Sequence, residues 1–590
     1  MRVSSIATAS FARSPRVGRG LAVVLALQIA AMLALAATLG TWHDEEYSLA
    51  TTSHGVVYAF HRAIDFELQA PFYFVALAAL RAFSDSVFFA RAPSVLCAVA
   101  FTYAMALIAR RIAPERDPWV PAALVALNPF TIFAALEIRL YALALLLCAL
   151  AWLAFYDGFF AGDDRRARIA FVAIAIVSLY TQYFIGFEFV AFAIGLAALG
   201  RWRALRTYLV AGIVLALAFV PMLVVLQAQV SGALGTRDAR PGAFGSIFVH
   251  PAIDFIFPLG YQSVTGAIGH RATTVTVIAL LVAIVFGGPR MGRRLVAYVA
   301  MAAAVEAIYV ILARGLHYDL VVPRHFVALF VPELAAAFAL LVSLGSPRAR
   351  LARRVVVVML AVAAVASDAT TYRALAKHGD WKRVGAYLTA AARPGDTIAI
   401  YEADALPGFE RYYRGAARVV PFPRALPTDR YDVEAMLVHS VADAEASLER
   451  LPRTGHVWFV DYGGCDRFDR LGCNEVRTAI ARRERVLQRT EFYENTVLRI
   501  ARRAPETSGL IESHAYRHVA IEPEALRRSR AKPDCVVARL AAGPYRRRHS
   551  DALAGTASLP RSRAASLRNA ATVASTFEPR YTGCSRQPPR

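Results

Sequence analysis

The chain has little cysteine, six in 590 residues, and no C-x-x-C pair, which excludes the common zinc-site spacings. It has no clear internal repeat, whereas transporters built from two related halves often carry one. It also has no single basic stripe. The net charge of +22 comes mainly from arginines scattered over short loops and the last segment, so a nucleic-acid partner is not expected. What it has in excess is apolar sequence: 57% of residues are hydrophobic and the mean hydropathy is +0.43. A soluble protein that apolar would expose large patches and aggregate, so much of this surface must face lipid.

A membrane helix needs about 20 mostly apolar residues. Apolar runs are expected to span at about 20–40, 87–109, 118–136, 140–161, two within 169–200, then 207–229, 272–288, 295–313, 326–345 and 355–370, about 11 transmembrane helices in all. The first run is too long for a signal-peptide core and ends in a poor cleavage site, Thr41-Trp42-His43, so it reads as an uncleaved helix. Arg110-Arg111, Arg165-Arg166, Arg201, Arg290 and Arg353-Arg354 then fall on one side, and Asp44, Glu45, Glu46 and Glu137 on the other. Cationic loops stay cytoplasmic, which puts the amino terminus inside and the acids outside. The short apolar piece 71–80 is expected to lie in or near the interface.

Three regions follow: a transmembrane domain (1–371), a small α/β domain on the outer, periplasmic side (372–503) and a basic disordered tail (504–590). In the middle region, Trp381 to Ala392 reads as a helix and Pro394-Gly395-Asp396 as a turn. Runs 397–401, 456–460 and 496–500 read as strands. Cys465 and Cys473 sit where a disulfide can form, while Cys97 and Cys148 lie in apolar runs as small hydrophobes.

The acid triplet Asp44-Glu45-Glu46, directly after the first apolar run, needs a reason. It is either a solvated helix end, where negative charge is mildly unfavourable, or a general base or metal ligand at the membrane face. The segment Trp42-His43-Asp44-Glu45-Glu46-Tyr47-Ser48 resembles the first-loop signature of the GT-C membrane glycosyltransferases, such as protein mannosyltransferases and lipid A aminoarabinose transferases. Gln69-Ala70-Pro71-Phe72-Tyr73, Arg91-Ala92-Pro93-Ser94, Asn128-Pro129-Phe130, Glu137-Ile138-Arg139-Leu140-Tyr141, Tyr180-Thr181-Gln182-Tyr183-Phe184 and Pro323-Arg324-His325 are similar to that family's later motifs, in the same order. Gln69-Ala70 stands where the family has His-Pro, Gln182 where it commonly has His, and His325 where it has Tyr.

The resemblance implies an inverting transfer of sugar from a polyprenyl-phosphate donor to an envelope lipid, glycan or protein acceptor in a bacterial inner membrane. On it, Asp44 is the general base, with Glu45 and Glu137 as further catalytic candidates. Arg139 and Arg324 are phosphate clamps, since guanidinium binds phosphate bidentately and keeps its charge. Interface anchoring is the plain alternative for both arginines. Tyr141, Tyr183 and His325 are candidates for substrate contact, with His61 and Arg62 weaker ones. Asp44 and Glu137 are the candidate ligands of a divalent cation; an ion pair with Arg139 is the other reading of Glu137. A transporter or lipid flippase working through Glu306 is the competing reading, and a receptor or assembly factor without chemistry is the third.

Overall fold

The structure, a computed structural model, describes residues 18–234, 292–315, 327–344, 347–427, 432–462 and 472–503. The tail from 504 expected to be disordered, the expected helix at 272–288, Cys465, and the site candidates Arg324 and His325 lie outside these residues.

The first half is helical: α1 (Arg19–Thr38), α2 (His43–Thr51), α3 (Gly55–Asp65), α4 (Phe72–Arg81), α5 (Val87–Ile112), α6 (Trp119–Ala126), α7 (Pro129–Leu136), α8 (Tyr141–Phe155), α9 (Arg165–Thr181), α10 (Gly186–Ala198) and α11 (Trp202–Leu234). Then come α12 (Arg293–Gly315), α13 (Val327–Ser343) and α14 (Pro347–Thr371). One apolar core joins all but α14 and includes the fully buried Trp152, Phe155, Phe171 and Phe192, while Val356 of α14 packs with Leu341 and Leu344 in a separate cluster. On α11 the apolar side chains Val210, Ile213, Leu217, Val220 and Val224 are exposed, as a helix facing lipid requires.

Four described helices are long and apolar enough to cross a membrane, or five if α6 and α7 form one span broken by a 60° bend. The expected eleven also takes in α12, α14, shorter apolar helices and 272–288. The bend has a local cause. Asn128 caps α7 by accepting from the N–H groups of Phe130 and Thr131, and Pro129 occupies the first helical position. The 71–80 piece is helix α4, which packs Tyr73, Phe74, Leu77 and Ala78 into the protein.

The α/β domain holds a five-stranded sheet in the order β2-β1-β3-β5-β4. Its strands are β1 (Thr397–Tyr401), β2 (Arg418–Phe422), β3 (Val457–Tyr462), β4 (Glu484–Phe492) and β5 (Asn495–Arg502). β1 runs parallel to β2 and β3, with Ile398 opposite Val419 and Trp458, while β5 is antiparallel to β3 and β4. Every residue of β1 and β3 is buried, as central strands covered on both faces should be. Helices α15 (Trp381–Ala391), α16 (Leu406–Glu410), α17 (Val441–Glu449) and α18 (Cys473–Arg483) flank the sheet. Cys473 is disulfide-bonded.

Candidate active site

The acid triplet does not end the first helix. α1 stops at Thr38, residues 39–42 are extended, and a new helix begins at His43 with Asp44, Glu45 and Glu46 in its first turn. At a helix amino terminus negative charge is favourable, which removes the penalty that reading the triplet as a helix end implied.

Glu45 is fully buried and forms the centre of an ion network. Arg91 on α5 grips it with two bonds, Nε to Oε1 at 2.9 Å and Nη2 to Oε2 at 2.8 Å. Lys377 Nζ lies 2.9 Å from Oε2, and the Ile138 N–H donates to Oε1 at 3.1 Å. The rest of the Arg91 guanidinium donates to the carbonyls of Ala36, Leu39 and Gly40, capping α1. Lys377 also reaches Glu137 Oε1 at 2.7 Å and the Leu136 carbonyl at 2.8 Å, while Trp42 Nε1 donates to Glu137 Oε2 at 2.7 Å. Two buried cations thus face two buried carboxylates. Burial opposes the charge on Glu45, but Arg91 and Lys377 outweigh it and hold its carboxyl below the usual range. Burial dominates at Glu137: against the pull of Lys377, and with the charge of Glu45 added, it pushes the carboxyl up to about 7.

Arg139 is buried beside this network but belongs to a second one. Its Nη1 donates to Glu67 Oε2 at 2.6 Å, Ser48 Oγ at 3.2 Å and the Asp44 carbonyl at 3.4 Å. Its Nε is buried with no partner among the described residues. Glu67 is fixed from its other side by Thr51 Oγ1 at 2.9 Å. The expected Glu137–Arg139 ion pair is replaced: Glu137 turns to Lys377 and Arg139 to Glu67.

The α/β domain closes over the same segment. Arg411 binds both carboxylate oxygens of Glu46, with Nη2 to Oε2 at 2.7 Å. Tyr47 Oη donates to the Asp404 carbonyl at 3.1 Å, and the Thr41 N–H donates to Tyr412 Oη at 2.8 Å. His43 Nε2 lies 3.7 Å from Asp44 Oδ1 and 4.0 Å from Asp404 Oδ2.

The structure therefore brings Asp44, Glu45, Glu137 and Arg139 together. Tyr141 is buried against Phe133 at 5.8 Å. Tyr183 packs on Phe219 of α11 at 5.9 Å, and Arg62 lies over the Phe66 ring at 4.0 Å, a cation–π contact. As a cation site the pair Asp44 and Glu137 does not fit. Both oxygens of Glu137 face N–H donors, and no group of three or more His, Cys, Asp or Glu placed to hold a metal occurs among the described residues. Lys377, Glu67, Asp404 and Arg411 are the site residues that motif reading missed, while His43 stood inside the first-loop segment without a role. Arg91 was visible as part of Arg91-Ala92-Pro93-Ser94, without a role.

The fold and site define a polytopic helical membrane protein with a carboxylate-rich seam closed by an α/β domain. No family model matches the chain, and no curated protein does. Among solved structures, ArnT from Cupriavidus metallidurans bound to undecaprenyl phosphate is similar over 81% of this chain and 97% of its own, at 13% identity and a TM-score of 0.44. The apo state of that protein gives 14% identity over the same shares and a TM-score of 0.45. The Archaeoglobus fulgidus oligosaccharyltransferase, in complex with Zn and sulfate, is similar over 78% of this chain and 71% of its own, at 14% identity and a TM-score of 0.40.

Proposed function

We propose that the protein is an inverting glycosyltransferase that moves a hexose or pentose from a polyprenyl-phosphate donor to a lipid, glycan or protein acceptor at the outer face of a bacterial inner membrane. The observation that carries this reading is the juxtaposition of the Asp44 segment with Arg139, a buried guanidinium that bonds Glu67, Ser48 and the Asp44 carbonyl through Nη1 and whose Nε has no hydrogen-bond partner among the described residues. A carboxylate and a cation with donors to spare are the two groups the reaction needs. Asp44 takes the proton of the acceptor hydroxyl as its oxygen attacks the anomeric carbon. Arg139 receives the phosphate that leaves from the opposite face, and its charge stabilises the leaving group. A phosphate needs little protonation to depart, so one carboxylate suffices, in contrast to glycoside hydrolysis.

On this reading Glu45 and Glu137 hold the site together, and no step passes through a metal. The polyprenyl carrier rests on the motif resemblance over residues 42–48 and 137–141. Tyr141, Tyr183, Arg62, Arg324 and His325 remain proposed substrate contacts. The transporter reading is favoured by one observation: Glu188 on α10 is fully buried, with the Cys148 thiol against its carboxylate and no ion pair among the described residues. The test separates them. Mass spectrometry of envelope glycolipids and glycoproteins from a deletion strain should show a missing sugar, restored by the wild type and not by Asp44→Asn at equal membrane abundance. Restoration by Asp44→Asn would remove Asp44 as the base; loss of restoration with Glu188→Gln alone would favour transport.

A further inference from the structure

The α/β domain could be a passive cap. Its topology says otherwise. The chain leaves β1 for β2 on one side and then returns to β3 on the other, so the strand order reverses beside β1. In open parallel sheets that reversal opens a crevice at the carboxyl ends of the strands, which is where such domains bind ligands. Here the crevice is met by the membrane region's own helix α2. Asp404 lies just past the end of β1, Tyr462 ends β3, and His43 faces both, its ring centroid 6.0 Å from that of Tyr462. Asp404 is 5% exposed and its Oδ1 has no partner among the described residues; the Nδ1 of His43 is likewise buried and unpartnered. Besides His43, the backbone N–H groups of Asp404 and Ala405 lie against this carboxylate.

We propose that Asp404 is a positioning residue of the transfer site, supplied by the α/β domain and acting on Asp44 through the imidazole of His43. The inference rests on the glycosyltransferase reading above. In the transfer step the acceptor oxygen forms its bond to the anomeric carbon, the anomeric carbon–oxygen bond to the lipid phosphate breaks, and the electron pair leaves with the phosphate. The acceptor's proton goes to Asp44. Before the next turnover Asp44 must lose that proton, and His43 Nε2 is the base beside it. Asp404 Oδ2, 4.0 Å from the same nitrogen, stabilises the imidazolium until it releases the proton to water. The groups recorded against His43 are Asp44, Tyr47 and Trp42 from its own segment and Asp404 and Tyr462 from the α/β domain.

The experiment uses the full chain in detergent or proteoliposomes, with a panel of undecaprenyl phosphates carrying radiolabelled hexoses and pentoses and total envelope lipid and protein as acceptor. Asp404→Asn and His43→Gln should each lower kcat about tenfold or more and leave the KM for donor unchanged. The double variant should fall no further than either single one, because the two residues act as a unit. Asp404→Glu should recover most of the loss. Wild-type kcat in Asp404→Asn overturns the inference, and so does additivity in the double variant. A lowered melting temperature with no recovery by Asp404→Glu also overturns it, by making Asp404 a docking residue. If the wild type itself moves no label, the transferase reading falls and this inference with it. An active wild type beside a normal Asp404→Asn removes this inference alone.

Discussion

Replacing Glu45 by Gln distinguishes a structural acid from a catalytic one. Wild type holds Arg91 and Lys377 against Glu45 and Glu137, all nearly or fully buried. The substitution leaves two cations facing one carboxylate and turns an acceptor oxygen into an NH2 group aimed at donors. Arg91 keeps its three carbonyls but loses its counter-ion at zero exposure. Removing one partner of a buried ion pair costs about 3–5 kcal/mol. Glu137→Gln is the internal control. That carboxyl is pushed up to about 7, so it is neutral in many molecules at neutral pH, and the amide oxygen can still accept from Trp42. Its cost should be nearer about 1.5 kcal/mol. In detergent, followed by tryptophan fluorescence, Glu45→Gln should melt about 5–10 °C below wild type and Glu137→Gln about 3 °C below. A Glu45→Gln protein that melts with the wild type would refute the network argument. If it also transferred no sugar, Glu45 would return as a catalytic residue.

Three further outcomes follow from single contacts. Arg139→Lys keeps the charge and the Glu67 pair but loses the planar fork, so the KM for a polyprenyl-phosphate sugar should rise about tenfold in a steady-state assay with kcat less affected; an unchanged KM removes Arg139 as the phosphate clamp. Asp380 begins α15, and burial, opposed by Arg383, pushes its carboxyl up to about 6. A raised carboxyl gives stability that is full below its ordinary value and is lost as pH rises through about 6. Asp380→Asn, uncharged throughout and tolerant of the left-handed backbone at this position (φ 43°), should therefore gain in melting temperature over wild type more at pH 7.5 than at pH 4.5; an equal gain at both refutes it. At Gly385 an added Cβ would lie 2.8 Å from the carbonyl carbon of Tyr412, whose hydroxyl accepts from Thr41. Gly385→Ala should loosen the α/β domain at a cost of about 1–3 kcal/mol, read as faster proteolysis between 372 and 503.

Helices were legible in the sequence because lipid demands long apolar runs. The runs at 87–109 and 140–161 lie within two or three residues of α5 and of the helical stretch from α8 through its continuing π-turn to Phe160. Strands β1 and β3 were legible for the related reason that central strands are largely apolar, and β5 through its shorter apolar set Val497, Leu498 and Ile500. β2 and β4 were not. β2 carries Arg418 and Pro421, and β4 reads Glu-Arg-Val-Leu-Gln-Arg-Thr-Glu-Phe with its charged residues on a half-exposed edge. Edge strands are kept polar to resist pairing with other chains, so their sequences look like loops or helices. The triplet at 44–46 stood out by its charge, but its division of labour did not. Three adjacent acids on one helical turn point in three directions. They end in three different places: Asp44 beside His43, Glu45 in the buried network, Glu46 on Arg411.

The partners that decide those roles come from far along the chain, and this ties the chemistry to the docking of the α/β domain. Glu45 and Glu137 lie in the membrane region, yet Lys377, which bridges them, is supplied by the segment that enters the α/β domain. With Lys377 withdrawn, Arg91 alone would face two buried carboxylates, and the Ile138 N–H that donates to Glu45 would be set by a shifted acid. Ile138 is the residue next to Arg139, so the position of the proposed phosphate clamp depends on a lysine from the segment that opens the α/β domain. The same docking brings Arg411 onto Glu46 and Asp404 to His43. A site whose counter-charges are split between two domains is complete when those domains are docked.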